Sequence, residues 1–169
     1  MDEATNKLLS LLDEHGGRLH GLLVKLTLSE DAAEDLLQDL FLRLSNSNGF
    51  LRATSPEAYL FRTATNLAFD WRKRNQRALA MGELPDGDIT QWDEPIEKTV
   101  RHEEMQRVLA AMDGLPEASR ELLTLRYLEG LSYDQLANGL DSTPHRVRAL
   151  CSKAIARLRK LIGVDRGSE

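Results

Sequence analysis

Apolar residues between positions 29 and 44 recur three, four and seven places apart, which is the repeat of one face of an α-helix. These apolar positions are Ala33, Leu36, Leu37, Leu40, Phe41 and Leu44. Ser29 precedes them as a predicted N-cap, and the acids Glu30 and Asp31 follow it. Carboxylates in the first turn stabilise the positive end of the helix dipole. The segment is therefore predicted to form an amphipathic helix with one buried and one polar face.

The same kind of helical pattern covers most of the remaining chain. Further helices are predicted over residues 3–15, 18–27, 56–78, 96–112, 116–128, 132–138 and 144–162. Gly16-Gly17 is predicted to end the first of them. Ser55 is the predicted N-cap of the helix at 56–78, and Pro56 its first residue. Only 5% of the residues are aromatic, and no segment has a convincing strand pattern. The chain is predicted to be all-α.

Helical periodicity stops between Met81 and Pro95, where glycine and proline alternate with acidic residues. This composition is typical of a linker between domains. We therefore predict two small helical domains, residues 1–78 and 100–169, joined by an acidic flexible linker at residues 79–99.

The overall charge of −5 conceals two basic segments. Residues 62–77 carry a net charge of +4 and residues 145–169 a net charge of +5. Acidic residues dominate the chain between them. Positive charge concentrated at two places favours association with a polyanion at those places.

The second basic segment lies in a predicted helix-turn-helix. Ser132 and Gln135 form a capping box at the start of a short helix, and Thr143-Pro144 opens a longer basic one. The apolar residues spaced to hold these two helices together are Leu136, Ala137, Leu140, Val147 and Leu150. The predicted DNA-binding residues on the second helix are His145, Arg146, Arg148 and Lys153. An ordinary helical hairpin has the same apolar pattern, but the capping box and the basic second helix favour DNA binding.

The first basic segment differs because its cations alternate with Phe69 and Trp71. Aromatic and cationic groups along one helix suit unstacked single-stranded bases. The candidate DNA-binding residues are Asn66, Asp70, Arg72, Lys73, Arg74 and Arg77. The alternative is that Phe69 and Trp71 are core residues and the arginines are simply solvated.

The sequence has no pattern typical of an enzyme, a cofactor site or a metal site. It lacks clustered histidine and cysteine ligands and a glycine-rich phosphate loop, so no cofactor and no small-molecule substrate are expected. The acidic start lacks a secretory signal, no apolar run is long enough to span a membrane, and the single Cys151 is interpreted as a small core residue. A cytoplasmic location is expected.

Three segments resemble bacterial sigma-70 factors of the extracytoplasmic function (ECF) type. Residues 33–44 are similar to the helix by which these factors bind core RNA polymerase, and Asn66–Arg74 to their −10 element helix. Residues 115–133 and the following helix-turn-helix resemble their −35-reading domain. The resemblance implies a region 2-like bundle, a region 4-like domain, and promoter-specific initiation with core polymerase, promoter DNA and an anti-sigma protein as partners. It implies that the polymerase contacts are Asp35, Gln38, Asp39 and Leu42.

The resemblance also implies positions for the DNA-binding residues. Asn66 and Asp70 would lie near the melted −10 strand, and Arg146 and Arg148 would face the −35 element. The turn departs from the family pattern, because Asp141 replaces the usual glycine.

Ser142 stands where the family has an apolar residue, and Pro144 and His145 where it has small residues, so these positions bear on the −35 preference. Residues 60–62 and 126–133 are similar to the iron-uptake subgroup.

Two other functions fit parts of the pattern. A free-standing helix-turn-helix regulator would need a ligand pocket or a dimer seam among its N-terminal helices. The other possibility is an interaction protein whose helices chiefly bind a sequestering partner. The sigma interpretation partly includes this function, since sigma factors of this type are usually bound by anti-sigma proteins.

Overall fold

The computed structural model describes residues 2–82 and 96–163, with the side chains of 96–99 left aside, and within these ranges the chain contains helices and no β-strand. This confirms the all-α prediction. The helices are α1 (Glu3–Thr27), α2 (Glu30–Ser45), α3 (Gly49–Arg52), α4 (Pro56–Ala80), α5 (Ile96–Asp113), α6 (Glu117–Leu123), α7 (Tyr133–Gly139) and α8 (Pro144–Ile162).

The first helix runs without a break through the glycine pair, so the prediction of two helices at residues 3–15 and 18–27 is wrong. Leu8 on one side of the pair and Leu19, Leu22 and Leu23 on the other are all buried in the same core. Burying a leucine side chain contributes about 1.5–3 kcal/mol, more than the ~1 kcal/mol that a glycine costs a helix. Tertiary packing therefore overrides the local signal to stop.

Replacing Gly17 with Ala should stabilise the protein by about 0.5–1 kcal/mol, because alanine removes the conformational freedom of the glycine in the unfolded chain. Gly17 is exposed, and a Cβ there would meet nothing within 4 Å. Chemical denaturation of both proteins checks this result. A lower free energy of unfolding in the variant would contradict a continuous helix at this position.

Helices α1, α2 and α4 pack into the N-terminal bundle. The predicted caps are confirmed, since Ser29 Oγ accepts from the Ala32 amide at 3.1 Å and Ser55 Oγ from the Ala58 amide at 3.2 Å. The short α3, which the sequence did not predict, buries Phe50 completely. Helix occupies both ends of the predicted linker, because α4 continues to Ala80 and α5 begins at Ile96; residues 83–95 of that linker lie outside the described ranges.

The helix predicted at residues 116–128 differs in detail. Helix α6 begins at Glu117, one place later than predicted, with Pro116 as its N-cap, and a π-helical turn follows at Thr124–Leu128. Gly130 then adopts a φ of 71°, a left-handed conformation that suits glycine. The wider turn brings both Leu125 and Leu131 into the core, at 1% and 6% exposure. A uniform α-helical repeat does not predict this arrangement.

The helix-turn-helix forms as predicted, but one residue that packs between its helices differs from the prediction. Leu136, Ala137 and Val147 are buried between the two helices, but Leu150 is 40% exposed, so its predicted packing role is wrong. Cys151 takes that place because it lies one full turn after Val147. Burial raises the pKa of the Cys151 thiol, which keeps it neutral and suits it to apolar packing.

The two halves of the chain pack against each other. Helix α4 contacts α6, the π turn and α7, and the buried residues of both halves form one continuous cluster. This contact positions the candidate site, because α4 carries the first basic segment.

Candidate polymerase and nucleic-acid interfaces

Helix α2 presents a polar ridge beside an apolar groove. Asp35, Gln38 and Asp39 are exposed on it, while Leu36 and Leu40 on the opposite face are buried. The three ridge residues lie three and four places apart, so they project from one side of the helix. The structure therefore brings the predicted polymerase contacts together on one surface.

The groove next to this ridge lies between α1 and α2. It is lined by Leu12, Gly16, Glu34, Leu37, Gln38, Phe41 and Leu42. Leu42 is 57% exposed, the largest exposed fraction of any leucine in the part of the chain that the structure describes. An apolar groove edged by acids is the form that a helix of a partner protein fits. The groove was missed from the sequence because Leu37 and Phe41 were assigned to the core.

Helix α8 begins with an exposed cluster of basic residues. His145, Arg146, Arg148 and Lys153 are all exposed, as a DNA-reading helix requires. The predicted cap holds the start of the helix, since Thr143 Oγ1 accepts from the Arg146 amide at 3.2 Å. Asp141 in the turn has a φ of 51°, a left-handed conformation that glycine adopts most easily, at the position where the sequence resemblance implies a glycine.

Tyr133 on α7 lies between two arginines. The guanidinium carbon of Arg126 is 4.4 Å from the centre of the Tyr133 ring, and that of Arg148 is 5.0 Å from it. Cations over an aromatic ring are held by its electron-rich face. The ring thus restrains Arg148 near the start of α8. Sequence reasoning missed this cluster because Arg126 lies on the π turn, which a uniform α-helical repeat does not predict.

The end of helix α4 exposes the cationic part of the first basic segment. Lys73, Arg74 and Arg77 are exposed, and so is Asp70. The other two predicted residues are paired. Asn66 Nδ2 donates to Glu121 Oε1 at 2.8 Å, and Arg72 forms a two-point ion pair with Asp113 at 2.8 and 3.1 Å.

The position of Phe69 supports the alternative interpretation, in which this residue belongs to the core. It is 3% exposed, with the guanidinium carbon of Arg120 5.0 Å from its ring centre, so in this conformation it is a core residue. Trp71 is partly buried and packs against the same cluster. Phe69 is therefore not presented to stack on bases, whereas part of the Trp71 side chain remains exposed.

The acids that pair with α4 were missed from the sequence. Asp113 and Glu121 lie in the other half of the chain, 41 and 55 residues from their partners Arg72 and Asn66. A further ion pair between the two halves joins Arg18 of α1 to Glu129 at 3.1 Å. Local periodicity carries no information on such contacts.

Two kinds of feature are absent from the part of the chain that the structure covers. None of its helices combines the length and hydropathy needed to cross a membrane. Its histidine, cysteine and acidic side chains form no cluster that could hold a metal ion.

Both halves of the chain match a known protein family. The sequence profile of Sigma-70 region 2 matches residues 11–78, and that of Sigma-70, region 4 matches residues 111–160. The ECF RNA polymerase sigma factor EcfG of Rhodopseudomonas palustris is 30% identical over 87% of this chain and 80% of its own length. The chain belongs to the ECF sigma factors. This confirms the predicted family.

Other ECF relatives are similar at the same level. SigX of Bacillus subtilis is 28% identical over 89% of this chain and 80% of its own length. The ferric citrate uptake sigma factor FecI of Escherichia coli is 29% identical over 86% of this chain and 85% of its own length. Since the identity of FecI lies between those of SigX and EcfG, these identities do not single out the iron-uptake subgroup.

A solved structure shares the fold. CnrH, determined in complex with the cytosolic domain of CnrY, superposes with a TM-score of 0.51 at 22% identity, covering 92% of this sigma factor and 87% of CnrH. The region 2 match spans most of α1 through α4, and the region 4 match runs from the end of α5 into α8. The polar ridge of α2 and the first basic segment therefore lie in region 2, and the helix-turn-helix in region 4.

Proposed function

We propose that this ECF sigma factor binds core RNA polymerase through the α2 ridge and the adjoining groove, and that it directs initiation at promoters read by α4 and α8. In this assignment Asp35, Gln38, Asp39 and Leu42 contact polymerase. The residues assigned to the melted −10 strand are Asn66, Asp70, Arg72, Lys73, Arg74 and Arg77. Those assigned to the −35 duplex are His145, Arg146, Arg148 and Lys153.

The observation that carries this proposal is the surface of α2. Its acids and amide form a solvent-facing ridge while the same helix fills the core with leucines. The apolar groove alone would also suit the dimer seam of a free-standing regulator, but the acids beside it would repel those of a second copy of the chain. A subunit that must dock on a larger enzyme requires such a surface. Family membership favours the same conclusion.

The factor acts in the cytoplasm and carries no catalytic site of its own, since RNA synthesis belongs to the polymerase. An anti-sigma protein is its proposed regulator. CnrH, which shares the fold, was solved with a protein partner bound.

The test is transcription with purified components. The protein is mixed with core polymerase and a library of promoter fragments, and the transcripts are sequenced. Transcripts that start downstream of a shared pair of −35 and −10 motifs are expected only when both proteins are present. Tight sequence-specific binding to duplex DNA by the chain alone, without such transcripts, would instead favour the regulator.

A further inference from the structure

The start of helix α8 carries two arginines in different surroundings. Val147 is completely buried, and Arg146 and Arg148 stand on either side of it in the sequence. Because successive residues of an α-helix are turned by about 100°, these two side chains leave the helix in nearly opposite directions. The guanidinium carbon of Arg148 lies 5.0 Å from the centre of the Tyr133 ring on α7. Among the described residues, Arg146 has no such aromatic contact.

The Tyr133 ring is itself held in place by other contacts. Tyr133 is the first residue of α7, and the capping box of Ser132 and Gln135 fixes the start of that helix with hydrogen bonds of 3.1 and 2.9 Å. The ring is partly buried against the core cluster, and the guanidinium carbon of Arg126 lies 4.4 Å from its centre. Arg126 is anchored in turn, because its Nη1 donates to the Leu131 carbonyl at 2.9 Å. The ring is therefore a fixed support for an arginine of α8.

A side chain that is ordered before it meets DNA binds at a lower entropic cost. An arginine has several rotatable bonds, and ordering such a side chain on binding opposes association. The electron-rich face of an aromatic ring attracts a guanidinium and restricts the positions that it occupies. Arg148 forms no ion pair with a carboxylate within the part of the chain that the structure describes, so its charge stays available to a phosphate or a base edge. The ring therefore orders Arg148 without neutralising it.

We propose that Tyr133 is a positioning residue for promoter recognition. Its ring orders Arg148 on the α7 side of α8, so that the guanidinium is in place when the helix meets the −35 duplex. Arg146 leaves α8 on the other side of Val147 and acts independently of the ring. Tyr133 acts through Arg148 and not through a contact of its own with DNA. This inference rests on the proposed function of α8, and it adds to that function a residue of the preceding helix.

Two substitutions at Tyr133 separate the ring from its hydroxyl. Tyr133→Leu removes the ring and keeps an apolar side chain, whereas Tyr133→Phe keeps the ring and removes only the hydroxyl. Tyr133→Leu is made in the full-length chain alone, with Arg148→Ala, and with Arg146→Ala. The matched control is Tyr127→Leu, the same change at a tyrosine that is 57% exposed on the neighbouring π turn. Thermal denaturation shows whether each variant is folded.

Binding of the assembled holoenzyme is measured on a promoter fragment, on single-base variants of its −35 element, and over a range of salt concentrations. Tyr133→Leu should weaken binding about two- to fivefold, the range that a cation–π contact at an exposed site supplies. It should change the same quantity as Arg148→Ala, which is either the preference at one base pair or the slope of log affinity against log salt. Tyr133→Phe and Tyr127→Leu should bind like the original chain.

The two arginine backgrounds distinguish positioning from a general structural role. In the Arg148→Ala protein, Tyr133→Leu should have no further effect, because the side chain that the ring orders is gone. In the Arg146→Ala protein, it should keep its full effect, since independent sites contribute additively. A loosening of α7 caused by Tyr133→Leu would instead weaken binding in both backgrounds.

Three results would overturn the proposal. The first is unchanged binding by Tyr133→Leu although Arg148→Ala weakens it, which would show that the ring does not limit Arg148. The second is an equal loss from Tyr133→Leu with and without Arg148, which would show that Tyr133 acts through another contact. The third is Tyr133→Phe behaving like Tyr133→Leu, which would assign the effect to the hydroxyl. Failure of the proposed function would appear separately, since Arg148→Ala and Arg146→Ala would then leave promoter binding unchanged.

Discussion

Changing both Asp35 and Asp39 to Lys should abolish association with core RNA polymerase and, with it, all promoter-dependent transcription. Both carboxylates are exposed on the α2 ridge. Placing two cations where a partner surface accepts two anions introduces like-charge repulsion in addition to the loss of attraction. We expect the affinity for core polymerase to fall at least about 100-fold. Removing one partner of a charge pair buried at an interface typically costs about 2–5 kcal/mol of binding free energy.

The same double change should leave the fold intact. Neither side chain contributes to the core, and exposed substitutions of this kind usually change the free energy of unfolding by about 0.5 kcal/mol or less. Thermal denaturation followed by circular dichroism checks the fold, and co-elution with core polymerase checks the binding. The matched control is Glu103→Lys with Glu104→Lys, two exposed acids on α5 that give the same change in charge. Normal core binding by the Asp35/Asp39 variant would remove α2 from its assigned role.

Removal of Arg146 and Arg148 should weaken promoter recognition by the assembled holoenzyme. Both side chains are exposed near the start of α8, where a recognition helix meets the major groove. Each arginine that contacts a base edge is worth about 1–3 kcal/mol of discrimination, so each Ala substitution should relax the preference at its own base pair. An arginine that contacts phosphate would instead weaken binding to all sequences alike and reduce the slope of log affinity against log salt by about one.

Holoenzyme binding to a promoter and to single-base variants of its −35 element distinguishes these two results. Arg157→Ala with Arg159→Ala is the control, because it removes the same charge from exposed positions further along α8. That control should lower affinity without changing base preference. If the Arg146→Ala, Arg148→Ala protein kept both its affinity and its selectivity, α8 would not be the helix that reads the promoter.

Features with a local physical cause were predictable from the sequence. Ser29, Ser55, Ser132 and Thr143 each cap a helix as expected, because a hydroxyl that accepts from an amide three residues later needs no other part of the fold. The polar ridge of α2 was predictable for the same reason. Its residues are placed by the helical repeat alone.

Features that depend on distant residues were not predictable. The Gly16-Gly17 pair is a helix-stop signal locally, and it is overridden by leucines that share a core on both sides of it. Whether Leu150 or Cys151 is buried depends on how α8 is rotated against α7. The apolar pattern of the sequence allows either residue to face the core.

The pairing of Arg72 with Asp113 joins residues 41 positions apart. Charge counts located the basic segment on α4 but could not show that acids of the other half pair with it.

The glycine at position 16 gives the groove that we propose for polymerase docking a wall without a side chain. A Cβ there would meet nothing within 4 Å inside the protein, so any larger residue would project into the open groove. Such a residue would block a docking helix by its size and leave the acids of the ridge unchanged. A polymerase with a smaller residue at the facing position would then accept the altered factor. Position 16 therefore offers a steric route to an orthogonal pair, in which one sigma factor serves one engineered polymerase alone.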